Sequence, residues 1–395
     1  MIRVVEAALK VLMVVESHAK QAGGGPIYWS QLSEHLIQRG HEVMILSGTP
    51  ADGQFASPNT IGLLPVRTNL RSRSMSTLLS RYMFKRRYVP VVQAFARKWK
   101  PDIIHTVLPI AAEAALRSGK DLGVPVVASV LSHVEAQWSR LEKGRIRPRL
   151  FRYIESRGLR GSFSRIICLT HRSKQVLAAE GVPPERIAYV PHAVDVTRFH
   201  SNGESFFRHQ LNLAQEAMVI GYAGALTRDK GFDQLLGAMS RLKSVTDLHL
   251  LVAGDISEHQ EWKEFCNEAG LTQVHFLGQL DHQHMPAFMM SLDLFVIPSF
   301  TETLPTTLLE ALATGTPVMA TAVGGISEFL RSEWGITLES PESDILVAAL
   351  EKWQLRRSEL QQMGQEGQQY VKKYHNWEHA SALTEGVYQS CLETW

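Results

Sequence analysis

Apolar positions first gather at Lys10–Val15 (KVLMVV), a run too short for a buried helix and apolar on both faces of an extended chain. A glycine cluster follows, then an amphipathic stretch to Gly40 and a second apolar run at Glu42–Leu46. This order predicts strand, loop, helix and strand, with Gly40 stopping the helix. Further runs at Ile103–Val107, Val126–Val130 and Arg165–Leu169 place Ile104, Val127 and Ile167 in stretches apolar on both faces, as buried parallel strands require. The first half therefore predicts a parallel α/β sheet covered by helices on both sides.

After Arg198 the rhythm restarts. Predicted strands at Val219–Ala223, Leu248–Ala253, Val274–Leu277, Leu294–Ile297 and Val318–Ala320 alternate with helices from Phe232, over Glu258–Ala269 and over Thr306–Thr314, before a helical tail. Between the halves lies Tyr189–His200 (YVPHAVDVTRFH), where Pro191 and a turn-rich stretch suit a linker. The expected domains are 1–195 and 196–375. Ligands of open parallel sheets bind beyond the carboxyl ends of the strands, so two such sheets facing one another would enclose a central cleft.

A length of 395 residues suits two domains, and 45% hydrophobic with 20% charged residues excludes disordered, collagen-like and coiled-coil chains. Cys168, Cys266 and Cys391 are too scattered for a disulfide framework or a four-ligand zinc site, which fits a reducing cytoplasm. No apolar run reaches the roughly 18–20 residues that span a bilayer, and Met1-Ile2-Arg3 opens no signal peptide, so neither spanning nor export is expected. The net charge of +2 hides an asymmetry: residues 1–195 carry 28 Lys/Arg and 14 Asp/Glu, or +14, leaving −12 for the rest. Much of the excess lies in Arg67–Arg87 and Arg140–Arg165. Three readings remain open at this point: a solvated face, an anionic acceptor or membrane surface, and nucleic acid, the last without a legible binding module.

Gly23-Gly24-Gly25 sits between the first strand and its helix, either as a flexible loop or as backbone able to approach an anion. It lacks G-x-G-x-x-G spacing and an acidic residue about twenty positions on, so a dinucleotide fingerprint is poorly supported. In Gly221–Gly231, Arg228 and Lys230 fall in a loop after a strand and before a helix, where two cations suit a diphosphate; a solvated loop charge is the competing account and fits Arg228 better. The segment Glu302–Glu310 (ETLPTTLLE) follows a strand and the turn Pro298-Ser299. Glu302 is expected in the loop and Glu310 one turn into the helix, each able to accept from sugar hydroxyls, with the Thr306 and Thr307 amides free to meet a phosphate.

Phe276-Leu277-Gly278, Asp293–Ser299, Glu302-x7-Glu310 continuing to Val318, and Val323–Glu328 together resemble the donor-binding domain of the family 4 glycosyltransferases, and Tyr189–Phe199 resembles the family's linker motif, with His192-Ala193 where the family usually has Asn-Gly. The matches run from Lys10 to about Trp377. The resemblance implies an α/β chain of GT-B fold, two Rossmann-like domains facing a cleft, with a last helix over 376–395 crossing back to the first. It implies a retaining hexosyltransferase that needs neither metal nor cofactor, a nucleotide sugar (UDP- or GDP-linked) serving as co-substrate. Glu302 would bind the donor sugar, Glu310 the ribose, Lys230 and the Gly23–Gly25 loop the diphosphate, and the backbone near Gly278 and Leu280 the base. The acceptor would be a glycan or lipid-linked saccharide of bacterial envelope or exopolysaccharide assembly, met at the inner face of the membrane through peripheral contact with anionic lipid.

Departures from the family pattern qualify individual residues. Ala225 stands where the family commonly has Arg, so either Arg228 replaces that cation or the diphosphate loses one. Pro305 has no N–H to give, leaving Leu304, Thr306 and Thr307 as amide donors. The family histidine at the end of the fourth N-terminal strand should fall at Leu131; His133 either takes its place near the reacting carbon or is structural, as His18 and His105 are expected to be. An epimerase, a phosphorylase or a non-catalytic partner subunit of the same fold are the alternatives.

Overall fold

A computed structural model describes residues 8–15, 24–48, 60–63, 88–107, 111–131, 162–201, 205–257 and 259–395. The chain divides into two compact units between Pro191 and His192 and again between Asn376 and Trp377, which returns the last helix to the first unit.

In the first unit, strands β1 (Lys10–Val15), β2 (Glu42–Gly48), β3 (Thr60–Leu63), β4 (Ile103–Val107), β5 (Val126–Val130), β6 (Arg165–Cys168) and β7 (Ile187–Tyr189) form one sheet in the order β3-β2-β1-β4-β5-β6-β7. Every pairing is parallel. Helices α1 (Gly24–Gln38), α2 (Val89–Trp99), α3 (Ala112–Leu122) and α4 (His171–Ala179) connect them. The all-apolar runs are buried on both faces: Leu12 and Val14 join the core with α2 and α3, while Val11 and Met13 are equally sealed on the other side. One expectation is corrected here. Gly24 and Gly25 do not precede the helix but form its first residues, and Gly23 lies outside the described residues, as do Arg67–Arg87, His18 and His133.

The second unit holds β8 (Met218–Ala223), β9 (Leu248–Ala253), β10 (Val274–Gly278), β11 (Leu294–Ile297), β12 (Val318–Thr321) and β13 (Gly335–Leu338), again all parallel, in the order β10-β9-β8-β11-β12-β13. Its helices are α5 (Phe206–Gln210), α6 (Phe232–Arg241), α7 (Gln260–Ala269), α8 (Met285–Met290), α9 (Thr306–Ala313), α10 (Ile326–Phe329), α11 (Ser343–Trp353) and α12 (Arg357–Tyr374). Alternate residues of β11 feed two cores, Phe295 and Ile297 against α9, and Leu294 and Val296 against α6 and α11. That alternation is what a two-sided parallel sheet demands. The predicted helix over Glu258–Ala269 begins at Gln260, and the one over Thr306–Thr314 ends at Ala313.

Helix α13 (Trp377–Thr394) packs on the first unit. The Trp377 ring meets Tyr28 edge-on at 5.4 Å, and Tyr388 is fully buried. Arg39 Nε lies 2.5 Å from Glu385 Oε2. Among the described residues no helix is long and apolar enough to cross a membrane.

Candidate active site

The second sheet reverses its winding between β8 and β11, its two central strands, and the loops after those strands flank the resulting crevice. After β8 the chain makes a short turn, Arg228–Lys230, and Gly231 leads it into α6. After β11 it passes through Pro298 and Ser299 to Glu302 before α9 begins.

Close backbone approaches hold these loops. Gly231 has φ +68°, and a Cβ there would fall 1.7 Å from the Pro298 carbonyl oxygen, so the two loops touch at a point only glycine allows. Gly324 has φ +56°, and its Cβ would fall 1.6 Å from the Glu302 carbonyl oxygen. The Gly325 N–H donates to the Thr303 carbonyl at 2.5 Å, the Phe300 N–H to the Asp229 carbonyl at 3.0 Å, and Thr321 Oγ1 to the Ser299 carbonyl at 2.5 Å. The Glu302 loop is thus pinned from both sides by turns after β8 and β12.

That brings two predicted residues together. Lys230 Nζ lies 2.7 Å from Glu302 Oε1, and Ser299 Oγ donates to the same oxygen at 2.9 Å. The Lys230 and Glu302 side chains are 24% and 13% exposed, so the pair is shielded yet reachable. Burial, then the carboxylates of Glu302 and Asp229, push the nearby Tyr222 phenol far above its usual range, and its hydroxyl donates to the Ala225 carbonyl at 2.6 Å. Arg228 is exposed and makes no ion pair among the described residues.

Glu310 lies in the second turn of α9 and is only 3% exposed. Its partner was not singled out from the sequence: His282 Nε2 sits 3.0 Å from Glu310 Oε1, and Arg198 Nη1 sits 2.9 Å from His282 Nδ1. Gly278 ends β10, and its carbonyl accepts from the Gly254 N–H at 2.9 Å. Leu280, two residues on, packs partly buried against the α9 core, and Leu304 is buried there as well. Thr306 and Thr307 open α9 with no side-chain cap. First-turn amides of a helix have no intrahelical acceptor, so both point out of its N-terminus.

A second unpredicted histidine touches this helix start. The Ala193 N–H donates to His192 Nδ1 at 2.9 Å, which leaves the ring proton on Nε2, 3.1 Å from Thr306 Oγ1. Burial and the neighbouring His375 push the His192 pKa down to about 4. A lone loop histidine carries no periodic signal. Only its place in the linker motif, where the family usually has Asn, marked it.

In the first unit, a Cβ on Gly25 would lie 3.9 Å from Leu131 Cδ1, so the start of α1 faces the end of β5. His105 is fully buried, with Nδ1 2.6 Å from the Tyr388 hydroxyl and Nε2 2.8 Å from Ser129 Oγ. Burial pushes its pKa down to about 3, and its bonds are those of a core histidine tying α13 to β4 and β5. Among the described residues, no group of three or more His, Cys, Asp or Glu is placed to hold a metal ion.

Comparisons with known proteins agree with this architecture. Sucrose-phosphate synthase from Thermosynechococcus elongatus superposes with a TM-score of 0.84 at 21% identity, over 97% of this chain and 100% of that one. The fold is that of the GT-B glycosyltransferases. Residues 22–198 match the family described as Glycosyltransferase Family 4, and residues 204–370 the one described as Glycosyl transferases group 1. The chain belongs to the family 4 glycosyltransferases. One subunit of human phosphatidylinositol N-acetylglucosaminyltransferase is 27% identical, over 96% of this chain and 75% of its own length. The D-inositol 3-phosphate glycosyltransferase of Paenarthrobacter aurescens is 25% identical, over 95% of this chain and 94% of its own.

Proposed function

We propose that this glycosyltransferase moves a hexose, with retention of configuration, from a UDP- or GDP-sugar to an anionic glycan or lipid-linked saccharide in bacterial envelope or exopolysaccharide assembly. The observation that carries the donor half is the Lys230–Glu302 pair at the winding reversal of the second sheet. There Lys230 would neutralise the diphosphate, Glu302 would accept from sugar hydroxyls, Glu310 from the ribose hydroxyls, and the Leu304, Thr306 and Thr307 amides would meet the phosphate. The backbone of Gly278 and Leu280 would take the base.

In the reaction the bond from sugar C1 to the diphosphate oxygen breaks, and a bond from C1 to the acceptor oxygen forms on the same face. The acceptor proton leaves with the diphosphate. Charge accumulates on that leaving group, so a cation already in position contributes most when the barrier is crossed. Lys230 supplies it in this reading, with no bound metal or cofactor, and the rate is expected to survive EDTA. His133 stays a candidate near the reacting carbon, and Gly23, with Gly24 and Gly25, for the diphosphate.

The acceptor half rests on charge. Residues 1–195 carry +14, and two relatives have a phosphorylated inositol in their names. The same excess supports peripheral contact with anionic lipid at the cytoplasmic membrane face. Failure of the protein to pellet with anionic vesicles at low salt would remove that contact from the proposal.

The test of the donor is a thermal-shift panel with UDP, GDP, ADP and CDP and their common sugar conjugates, followed by transfer assays with whichever conjugate responds. A ligand at ~100 times its Kd stabilises by roughly 2.7 kcal/mol. A single responding conjugate whose sugar is then transferred names the donor. Binding without transfer to any acceptor would favour the non-catalytic subunit.

A further inference from the structure

Glu310 is the end of a chain of two hydrogen bonds that starts outside its own helix. A guanidinium has donors only, so at the 2.9 Å contact Arg198 gives and His282 Nδ1 receives. The neutral ring then carries its proton on Nε2, which donates to Glu310 Oε1 at 3.0 Å. Arg198 is itself set by a turn in which Asp195 Oδ1 accepts from the Thr197 N–H at 3.0 Å and the Arg198 N–H at 3.1 Å. The buried Phe199 ring stands 5.4 Å from the imidazole.

The exposures give the chain a direction. Glu310 is 3% exposed and His282 28%, so the imidazole is the more solvent-accessible member of the pair. Glu310 Oε2 has no partner among the described residues. His282 also lies two residues beyond Leu280, in the segment that follows β10, so one hydrogen bond ties that segment to α9.

We propose that His282 is a positioning residue for the donor nucleotide. It holds Glu310 by Oε1 so that Oε2 faces the ribose hydroxyls, and Arg198 fixes the tautomer that makes this possible. The inference rests on the assignment of Glu310 to the ribose. A glutamate left unheld would have to be ordered by the ligand itself, and that ordering would weaken binding. The segment after β10 and the ribose carboxylate therefore act on the nucleotide as one unit.

Calorimetric titration of the full chain with UDP, GDP and ADP, each against its 2′,3′-dideoxy counterpart, separates this role from a structural one. For the nucleotide that binds, His282→Ala is expected to raise Kd about tenfold, the size of one lost hydrogen bond to a charged group. Binding of the dideoxy form should be unchanged, since it offers Glu310 no hydroxyl. His282→Gln keeps an N–H at similar reach and is expected to stay within about threefold of the wild type. Should the alanine variant fail to fold, His282→Asn, whose amide is too short to reach, takes its place. Equal weakening of both nucleotide forms, or none of either, overturns the positioning role while leaving Glu310 at the ribose. A wild type that binds both forms equally, or binds none of the three diphosphates, overturns the Glu310 assignment and the inference with it.

Discussion

Lys230 and Glu302 are opposite charges 2.7 Å apart and mostly shielded, so water screens them less than a surface pair. Glu302→Gln keeps the shape and removes the charge. Transfer is expected to fall on the order of 100-fold, which is what loss of one charged hydrogen bond to the reacting sugar costs at the upper end. The thermal midpoint should stay close to the wild type, because the residue sits in a loop outside the apolar core. Unchanged kcat would take Glu302 out of the reaction. Buried histidines set a separate residue-scale outcome. His105 and His192, pushed down by burial to about 3 and about 4 in the folded chain, stay neutral where an unfolded histidine at 6.5 takes up a proton. Their contribution is complete above pH 6.5 and is lost as pH falls toward those folded values. Each lowers stability by about 1.4 kcal/mol per pH unit across that window. Unfolding midpoints measured from pH 7 to 5 should fall, and His105→Gln or His192→Gln should flatten the slope; identical slopes in both variants would reject this origin.

At the scale of elements, the site is made by loops that touch through glycine. Alanine at Gly324 would need both a disfavoured positive φ and room already filled by the Glu302 carbonyl oxygen. Gly324→Ala is expected to displace the Glu302 loop, lower the midpoint by roughly 4–8 °C, and cut transfer further than Glu302→Gln does. A variant as stable and active as the wild type would show that the loop is not pinned there. The central strands were legible because β1, β4, β5, β8, β9 and β11 are apolar on both faces, a pattern that survives without tertiary context. Strands β3, β7 and β13 were not, being edge strands of three or four residues with little periodicity. The Lys230 and Glu302 loops stood out by following strands. His282 and Arg198 did not, since their pairing with Glu310 arises only when α9 packs beside the segment after β10, 28 residues away in sequence. Gly24 and Gly25 misled in the opposite sense: glycine disfavours helix by about 1 kcal/mol, yet both open α1.

For the molecule as a whole, the two substrates of the proposed reaction are both anionic, but the halves of the chain differ in sign, +14 over residues 1–195 and −12 over the remainder. An anionic acceptor drawn to the basic half gains from the long-range field, whereas a nucleotide sugar reaching the acidic half works against it and relies on Lys230 at short range. Salt screens the first effect strongly, since the Debye length is roughly 8 Å at physiological ionic strength, and leaves a shielded contact little changed. Raising salt from low to about 0.3 M is therefore expected to increase the acceptor KM several-fold while the donor KM stays level or falls. Initial rates with each substrate varied in turn separate the two. A donor KM that rises in parallel with the acceptor KM would mean that both substrates meet the same basic surface, and the assignment of the long-range field of residues 1–195 to the acceptor alone would have to be given up.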